Sequence, residues 1–293
     1  MRKSIHKLLV MAVTSVLLVS TATADKIDRI SPAKAGFDSK RLALIEKKLQ
    51  SYIDQGKTGG FVAAIANKDK VAYLESFGYQ DIASKQAMTD DSLFRIFSMS
   101  KPMTSVALMM LYEEGKFHLN DPIAKYMPEF ADLKVMASHD ADGMVLEDPS
   151  HAPTIRELMT HTAGFTYGVF GNTPVDKMYQ EAKLATDNTR SLAEFTQALA
   201  KIPLLHQPGT RWNYGVEHDV QGRLIEVLSG QPFDEFMQER LFKPLKMTDT
   251  AFYVPESKID RFATAYTVDP KTGKLVVFDP AAGGQFSKEP KGP

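Results

Sequence analysis

The stretch from Ser98 to Leu111 limits the possible folds more than any other part of this chain. Val106-Ala107-Leu108-Met109-Met110-Leu111 is apolar almost all the way round a helix. A helix without a polar face is stable in water only when other elements cover it, so this one is expected at the centre of the molecule. It opens with Ser98-Met99-Ser100-Lys101-Pro102. Pro102 is tolerated there because the N–H groups of the first helical turn have no intrahelical partner to lose. Gly115 stands where a left-handed C-cap would stop the helix.

The same opening has chemical potential. A serine hydroxyl is a weak nucleophile until a base takes its proton. A lysine three residues on lies on the same helix face, within reach of that hydroxyl. Desolvation near the positive end of a helix would lower its pKa, so Lys101 is expected to act as a neutral base. The helix N-terminus adds backbone N–H groups that can hold an oxyanion. Spacing alone is weak evidence, because Ser-x-x-Lys also occurs at Ser4–Lys7 and Ser31–Lys34. Neither of those opens a long apolar helix. On the motif alone, a helix cap with a solvated lysine stays open as the plainer reading.

Composition removes several classes of function. The 293 residues suffice for one large domain or two modest ones. With 43% hydrophobic and 24% charged residues, an ordinary globular core is expected. A net charge of −1 argues against a nucleic-acid partner, which would call for a basic excess. The absence of cysteine excludes thiol catalysis, cysteine-ligated zinc, disulfides and a lipidated N-terminal cysteine. Arg2, Lys3 and Lys7, the apolar run Leu8–Ser20 and Ala22-Thr23-Ala24 read as an export signal over residues 1–24. That run falls short of the roughly 20 residues a membrane helix needs. The expectation is a periplasmic or secreted protein with no stable membrane insertion after signal cleavage, its domain running over residues 25–293.

Periodicity predicts the elements. Leu42, Ile45, Leu49 and Ile53 place an amphipathic helix within Asp38–Asp54, ended by Gly56, Gly59 and Gly60. Phe61–Ala66 and Val71–Phe77 predict a hairpin turning at Asn67-Lys68-Asp69. Residues 120–150 read mostly as loop. Helices are predicted at Thr154–Thr160, with Thr154 near the N-cap, and at Ser191–Ala200, Val220–Leu228 and Pro232–Leu241. Asp269-Pro270-Lys271-Thr272-Gly273 is read as a turn between strands at Tyr266–Thr267 and Leu275–Phe278. Strands at both ends with helices between them predict a mixed α/β (α+β type) domain with a helical insertion.

Phe94-Arg95-Ile96-Phe97-Ser98-Met99-Ser100-Lys101-Pro102-Met103-Thr104 resembles the nucleophile segment of the β-lactamase-like, penicillin-binding serine hydrolases. That family includes class C β-lactamases, DD-carboxypeptidases and related bacterial esterases. The resemblance continues through Leu119–Pro122, Lys125–Pro128, Thr154–Phe165, Trp212–Val216 and Pro244–Thr250, in the family's order and over most of residues 28–293. It implies a β-lactamase/transpeptidase-like fold: an antiparallel sheet flanked by helices, with a helical subdomain. It implies a Ser98 acyl-enzyme, with Tyr214 as the second-motif tyrosine relaying the proton beside Lys101. The departure is Val216, where β-lactamases carry a substrate-contacting asparagine, and this shifts the expectation toward esters. Lys271-Thr272-Gly273 looks like the family's third motif but falls in a turn and comes too soon after Tyr214. Ala281-Ala282-Gly283-Gly284 and Lys291-Gly292-Pro293 look like the approach to the true one, so the C-terminal strands and half of the oxyanion hole are expected to be missing.

His161 and the pair His218-Asp219 could suggest a triad, but no G-x-S-x-G elbow accompanies them and a structural role is expected. Asp140-Ala141-Asp142-Gly143 lacks the later ligands of a calcium loop and reads as a solvated loop. No zinc ligand set is apparent, and no cofactor is expected. The reading that follows is a carboxylesterase acting on a small-molecule ester or amide through Ser98, Lys101 and Tyr214. The alternatives are a β-lactamase or DD-carboxypeptidase with the same nucleophile, or a non-catalytic cell-wall-binding relative.

Overall fold

Asp38 begins the first helix by accepting a hydrogen bond from the Arg41 N–H at 3.0 Å, which satisfies one of the helix's unpaired donors. The computed structural model describes residues 28–288, except residues 68, 69, 141, 142 and 188 and the side chain of Phe286. The expected export signal, the tip of the first hairpin and residues 289–293 lie outside the described residues. Helix α1 spans Ser39–Asp54, and Gly56 leaves it with φ 64°. The helix packs on strand β2 (Lys70–Asp81), which pairs antiparallel with β1 (Gly60–Asn67) from Gly60↔Gly78 to Asn67↔Lys70. Gly78 has φ 72°, and a Cβ there would meet the Gly59 carbonyl oxygen at 2.4 Å, so the close approach of these strands requires glycine. A short β3 (Gln86–Ala87) completes the order β1-β2-β3. Among the described residues, no strand pairs with the outer edge of β1.

Helix α2 (Ser100–Glu113) follows a single 3₁₀ turn over Phe97–Met99. Ala107, Leu108 and Leu111 are fully covered, and Gly115 reverses the chain with φ 72°. Burial of α2 is one-sided, contrary to the expectation from its composition. Val106 is 49% exposed, although α2 packs on α6 (Glu217–Ser229). Around that contact stand α3 (Ile155–Met159), α4 (Pro174–Glu181), α5 (Leu192–Leu199) and α7 (Phe233–Met237), the last continuing as a π-turn through Phe242. Ile155, Leu158, Leu199, Leu224 and Phe236 fill the core between them.

Three of these helices begin with capping boxes: Thr154 with Glu157, Thr173 with Asp176, and Ser191 with Glu194. Each satisfies orphan N–H groups reciprocally. Residues 120–150 depart from the loop reading. A hairpin of β4 (Val135–Asp140) and β5 (Gly143–Glu147) stands there. It is mostly exposed and is rooted by the buried Val135, whose neighbours Lys134 and Met136 exchange backbone hydrogen bonds with Leu204. With one anchor residue and a polar tip, it lacks the alternation that marks a strand in sequence.

The last hairpin, β6 (Ala265–Val268) and β7 (Leu275–Asp279), turns at Asp269–Lys274 as expected. It forms a separate two-stranded sheet. Side chains tie it to the first one: Tyr266 Oη accepts from the Ile82 N–H at 2.8 Å, and Thr264 Oγ1 donates to Asp81 at 2.9 Å. No described helix is long and apolar enough to cross a membrane.

Candidate active site

Ser98 sits on the 3₁₀ turn that leads directly into α2, exposed at the surface of the helical core. The residue before it, Phe97, has φ 42°, a left-handed conformation that costs a non-glycine residue about 1 kcal/mol or more. Its ring meets that of Phe278 on β7 at 6.4 Å. Arg95, two residues earlier, is clamped. Its Nε donates to Asp279 at 2.6 Å, and its other nitrogens donate to the carbonyls of Ala263 and Pro280 at 2.6 and 2.8 Å. Both members of this ion pair are buried. The last hairpin therefore holds the turn that presents Ser98.

Lys101 lies in the first turn of α2, half-buried, and its Nζ reaches Ser98 Oγ at 3.4 Å. Tyr214 comes from the segment before α6. Its neighbour Asn213 donates through its side chain to the Phe165 carbonyl and through its backbone to that of His161, both at 2.8 Å. So held, Tyr214 places its hydroxyl 2.6 Å from Ser98 Oγ. The three residues singled out from sequence thus meet, although 116 positions separate Ser98 from Tyr214.

A fourth member was not foreseen. Tyr167 Oη accepts from Lys101 Nζ at 2.9 Å, a shorter contact than the one to Ser98. Its ring lies 5.2 Å from that of Tyr214, with Nζ over both rings at 5.3 and 4.9 Å from their centroids. In sequence Tyr167 is one aromatic after Thr166 and cannot be told from a core tyrosine.

The lysine is not prepared as the sequence suggested. Burial does pull its pKa down, but hydrogen bonds and charge from Tyr167 and Tyr214 outweigh burial and leave it above its ordinary value. The lowered group is Tyr214. Burial pushes its phenol up, and this is overcome by the hydrogen bond to Ser98 and by the hydrogen bond and positive charge of Lys101. The expected neutral lysine is therefore replaced by an ammonium beside an acidified phenol.

The histidines stand behind the site. His161 is buried with φ 56°, and its Nδ1 lies 2.6 Å from Glu217 Oε2. Its ring packs against Tyr214 at 5.0 Å and His218 at 5.1 Å. His218 Nε2 lies 3.2 Å from Ser105 Oγ. Burial, then the nearby charges of His161 and Lys101, push the His218 pKa down to about 4. Neither ring is hydrogen-bonded to Ser98. Val216 is 1% exposed and belongs to the core, so it offers a substrate nothing polar. Lys271-Thr272-Gly273 occupies the β6–β7 turn. Among the described residues no group of three or more His, Asp or Glu is arranged to hold a metal ion, and Asp140 and Gly143 simply pair across the β4–β5 hairpin.

Residues 45–288 match the model of the Beta-lactamase family. The chain belongs to that family. The family relationship identifies its helices and antiparallel sheets as those of the β-lactamase/transpeptidase-like fold. A protein of Mycobacterium tuberculosis, Uncharacterized protein MT1414, is 36% identical over 228 residues, which is 76% of this chain and 55% of the relative. The lovastatin esterase of Penicillium rubens is 30% identical over 256 residues, covering 85% of this chain and 62% of the relative. Among solved structures, EstCE1, a hydrolase with promiscuous acyltransferase activity, superposes with a TM-score of 0.70 at 28% identity over 82% of this chain and 60% of that one. This member of the Beta-lactamase family thus spans 55–62% of the length of these two curated relatives.

Proposed function

We propose that this chain carries the nucleophile of an exported carboxylesterase-type hydrolase that works through a Ser98 acyl-enzyme. The observation that carries the reading is the 2.6 Å contact between Ser98 Oγ and an acidified Tyr214 phenol. Tyr214 takes the Ser98 proton as Oγ bonds to the ester carbonyl carbon. Lys101 stays protonated and stabilises the phenolate, while the Ser98 N–H serves as one donor to the oxyanion. Collapse breaks the carbon–oxygen bond to the alcohol, which leaves with the proton held by Tyr214. Water then attacks the acyl carbon and gives a proton to Tyr214, which returns it to Ser98 as the acid departs.

Esters are favoured over β-lactams for two reasons. The core position of Val216 supplies no polar group to an amide. A substrate amide buried without a partner binds more weakly by about 1–3 kcal/mol. The rim of the site is aromatic: Phe170 and Trp212, 76% and 63% exposed, flank Tyr214 with ring centroids at 6.1 and 6.3 Å. Such a rim suits an apolar acyl or alcohol group. The esterase and hydrolase named among the relatives agree with this choice. Export rests on the N-terminal charge and apolar pattern alone.

A substrate panel tests the proposal: short-chain p-nitrophenyl esters, a chromogenic cephalosporin and a D-Ala-D-Ala peptide, with a fluorophosphonate probe for Ser98. Ester turnover and labelling of Ser98 are expected. Cephalosporin or peptide turnover equal to or above that of the esters would favour the β-lactamase or DD-carboxypeptidase alternative. Absence of both turnover and labelling would leave a non-catalytic wall-binding relative.

A further inference from the structure

Lys101 is a cation whose charge must be held in one place if it is to act on one phenol and not another. A lysine ammonium has three donors and a flexible four-carbon stem, so its position is set by its acceptors. Ser98 Oγ at 3.4 Å is the weaker contact, and Ser98 is the group that becomes acylated. Tyr167 Oη at 2.9 Å is the shorter one. The Tyr167 ring is itself fixed. It is half-buried, meets Phe170 edge-on at 5.9 Å and lies against Tyr214 at 5.2 Å. The backbone just before and after it is pinned by Thr166, whose hydroxyl donates to the buried Asp176 at 2.9 Å and accepts from the Gly168 N–H at 3.2 Å.

We infer that Tyr167 is a positioning residue which anchors the Lys101 ammonium through its hydroxyl and so keeps that charge against the Tyr214 phenol. This rests on the reading of Ser98 and Tyr214 given above. The two phenols beside the one ammonium are driven apart. Burial leaves Tyr167 above the ordinary tyrosine range, as a neutral acceptor, while Tyr214 falls below it. Environments that separate two like groups in this way assign them different roles. The other titratable groups around Tyr214 are on α6 and on the segment after α3. Asp219 opposes ionisation of both phenols, the buried Glu217 is paired with His161, and His161 packs on the ring itself. His218, with its pKa near 4, is neutral wherever the phenol titrates.

The test is Tyr167→Phe, which removes one oxygen and keeps the ring. If the hydroxyl anchors Lys101, the ammonium relaxes away from Tyr214 and the phenol becomes a weaker acid. The limb of the kcat profile that rises with pH then moves to higher pH. At pH 7, kcat falls about tenfold, a part of the roughly 10²–10⁴-fold that proton transfer by a positioned group contributes. KM stays unchanged, and kcat recovers toward the wild-type plateau at high pH. A merely structural role would lower activity by the same factor at every pH. The Tyr214 ring resonance, followed in isotope-labelled protein through a pH titration, reads the same shift without needing turnover, with Tyr214→Phe assigning the signal. An unmoved limb and an unmoved Tyr214 titration in Tyr167→Phe would overturn the inference. Full turnover in Ser98→Ala would instead overturn the reading beneath it, so the two failures are distinguishable.

Discussion

At the scale of single residues, the site is a competition for one proton among four side chains. Ser98 is the candidate nucleophile because it is exposed and 2.6 Å from an acidified phenol. Ser98→Ala should abolish ester turnover and leave the melting temperature unchanged, since the exposed hydroxyl contributes little packing. Full activity in that variant would remove Ser98 from the mechanism. Tyr214→Phe should lower kcat by about 10²–10⁴, the range for loss of a general base. In the wild type, kcat/KM should rise with pH through an apparent pKa below the ordinary tyrosine value of about 10, because the phenol must lose its proton to act. A profile that is flat up to pH 9, or a Phe variant with wild-type kcat, would show that Tyr214 is not the base. The lysine was the residue least legible in sequence. Its spacing from Ser98 predicted reach, and reach was found. Its charge state depended on two phenols from distant segments, one of which no motif announced.

At the scale of elements, the decisive joint lies between the nucleophile turn and the C-terminal hairpin. Arg95 and Asp279 come from positions 184 residues apart and are both buried. Removing one partner of a buried ion pair strands the other charge and typically costs about 3–5 kcal/mol. Arg95→Met should therefore lower stability by that order in urea unfolding. It should also reduce ester turnover beyond the unfolded fraction, since the turn carrying Ser98 loses its anchor. A change under 1 kcal/mol would show that the pair is dispensable. The capped helices were readable because their signals are local: Thr154 and Ser191 each precede a Glu at the third position. The same signal, Thr173-Pro174 with Asp176, marks α4, which a search for apolar periodicity alone passes over. The β4–β5 hairpin has no such local mark. It exists because Val135 fits the core beside Leu204.

At the scale of the whole molecule, charge is nearly balanced and the ion pairs are mostly peripheral, so acid stability should follow the few carboxylates with strong partners. Asp249 is one. The hydrogen bond from Arg261, opposed by burial and helped by a weaker hydrogen bond from Lys258 and by both positive charges, holds its pKa at about 2 against an ordinary 3.8. A depressed carboxylate stabilises the fold above its unfolded pKa, and that contribution is lost as pH falls through its folded one. The melting temperature of wild type should therefore exceed that of Asp249→Asn above pH 4, with the gap closing as the pH falls to about 2. Salt should narrow the gap, because these side chains are about one-third exposed and well screened. A gap that persists unchanged at pH 2 would assign the effect to packing.

The sequence by itself determined what local physics determines: the capped helices, the first and last hairpins, and a serine and lysine on one helical turn at the edge of the core. It also carried the family, through motifs whose order and spacing are specific. Only the tertiary structure decided which groups share a proton. The pKa of Lys101 depends on what surrounds it in space, and Tyr167 and Tyr214 reach it from loops 66 and 113 residues further along the chain. Desolvation alone would have lowered the lysine's pKa. Two phenols brought there by packing reverse its direction of shift and move the acidity to Tyr214.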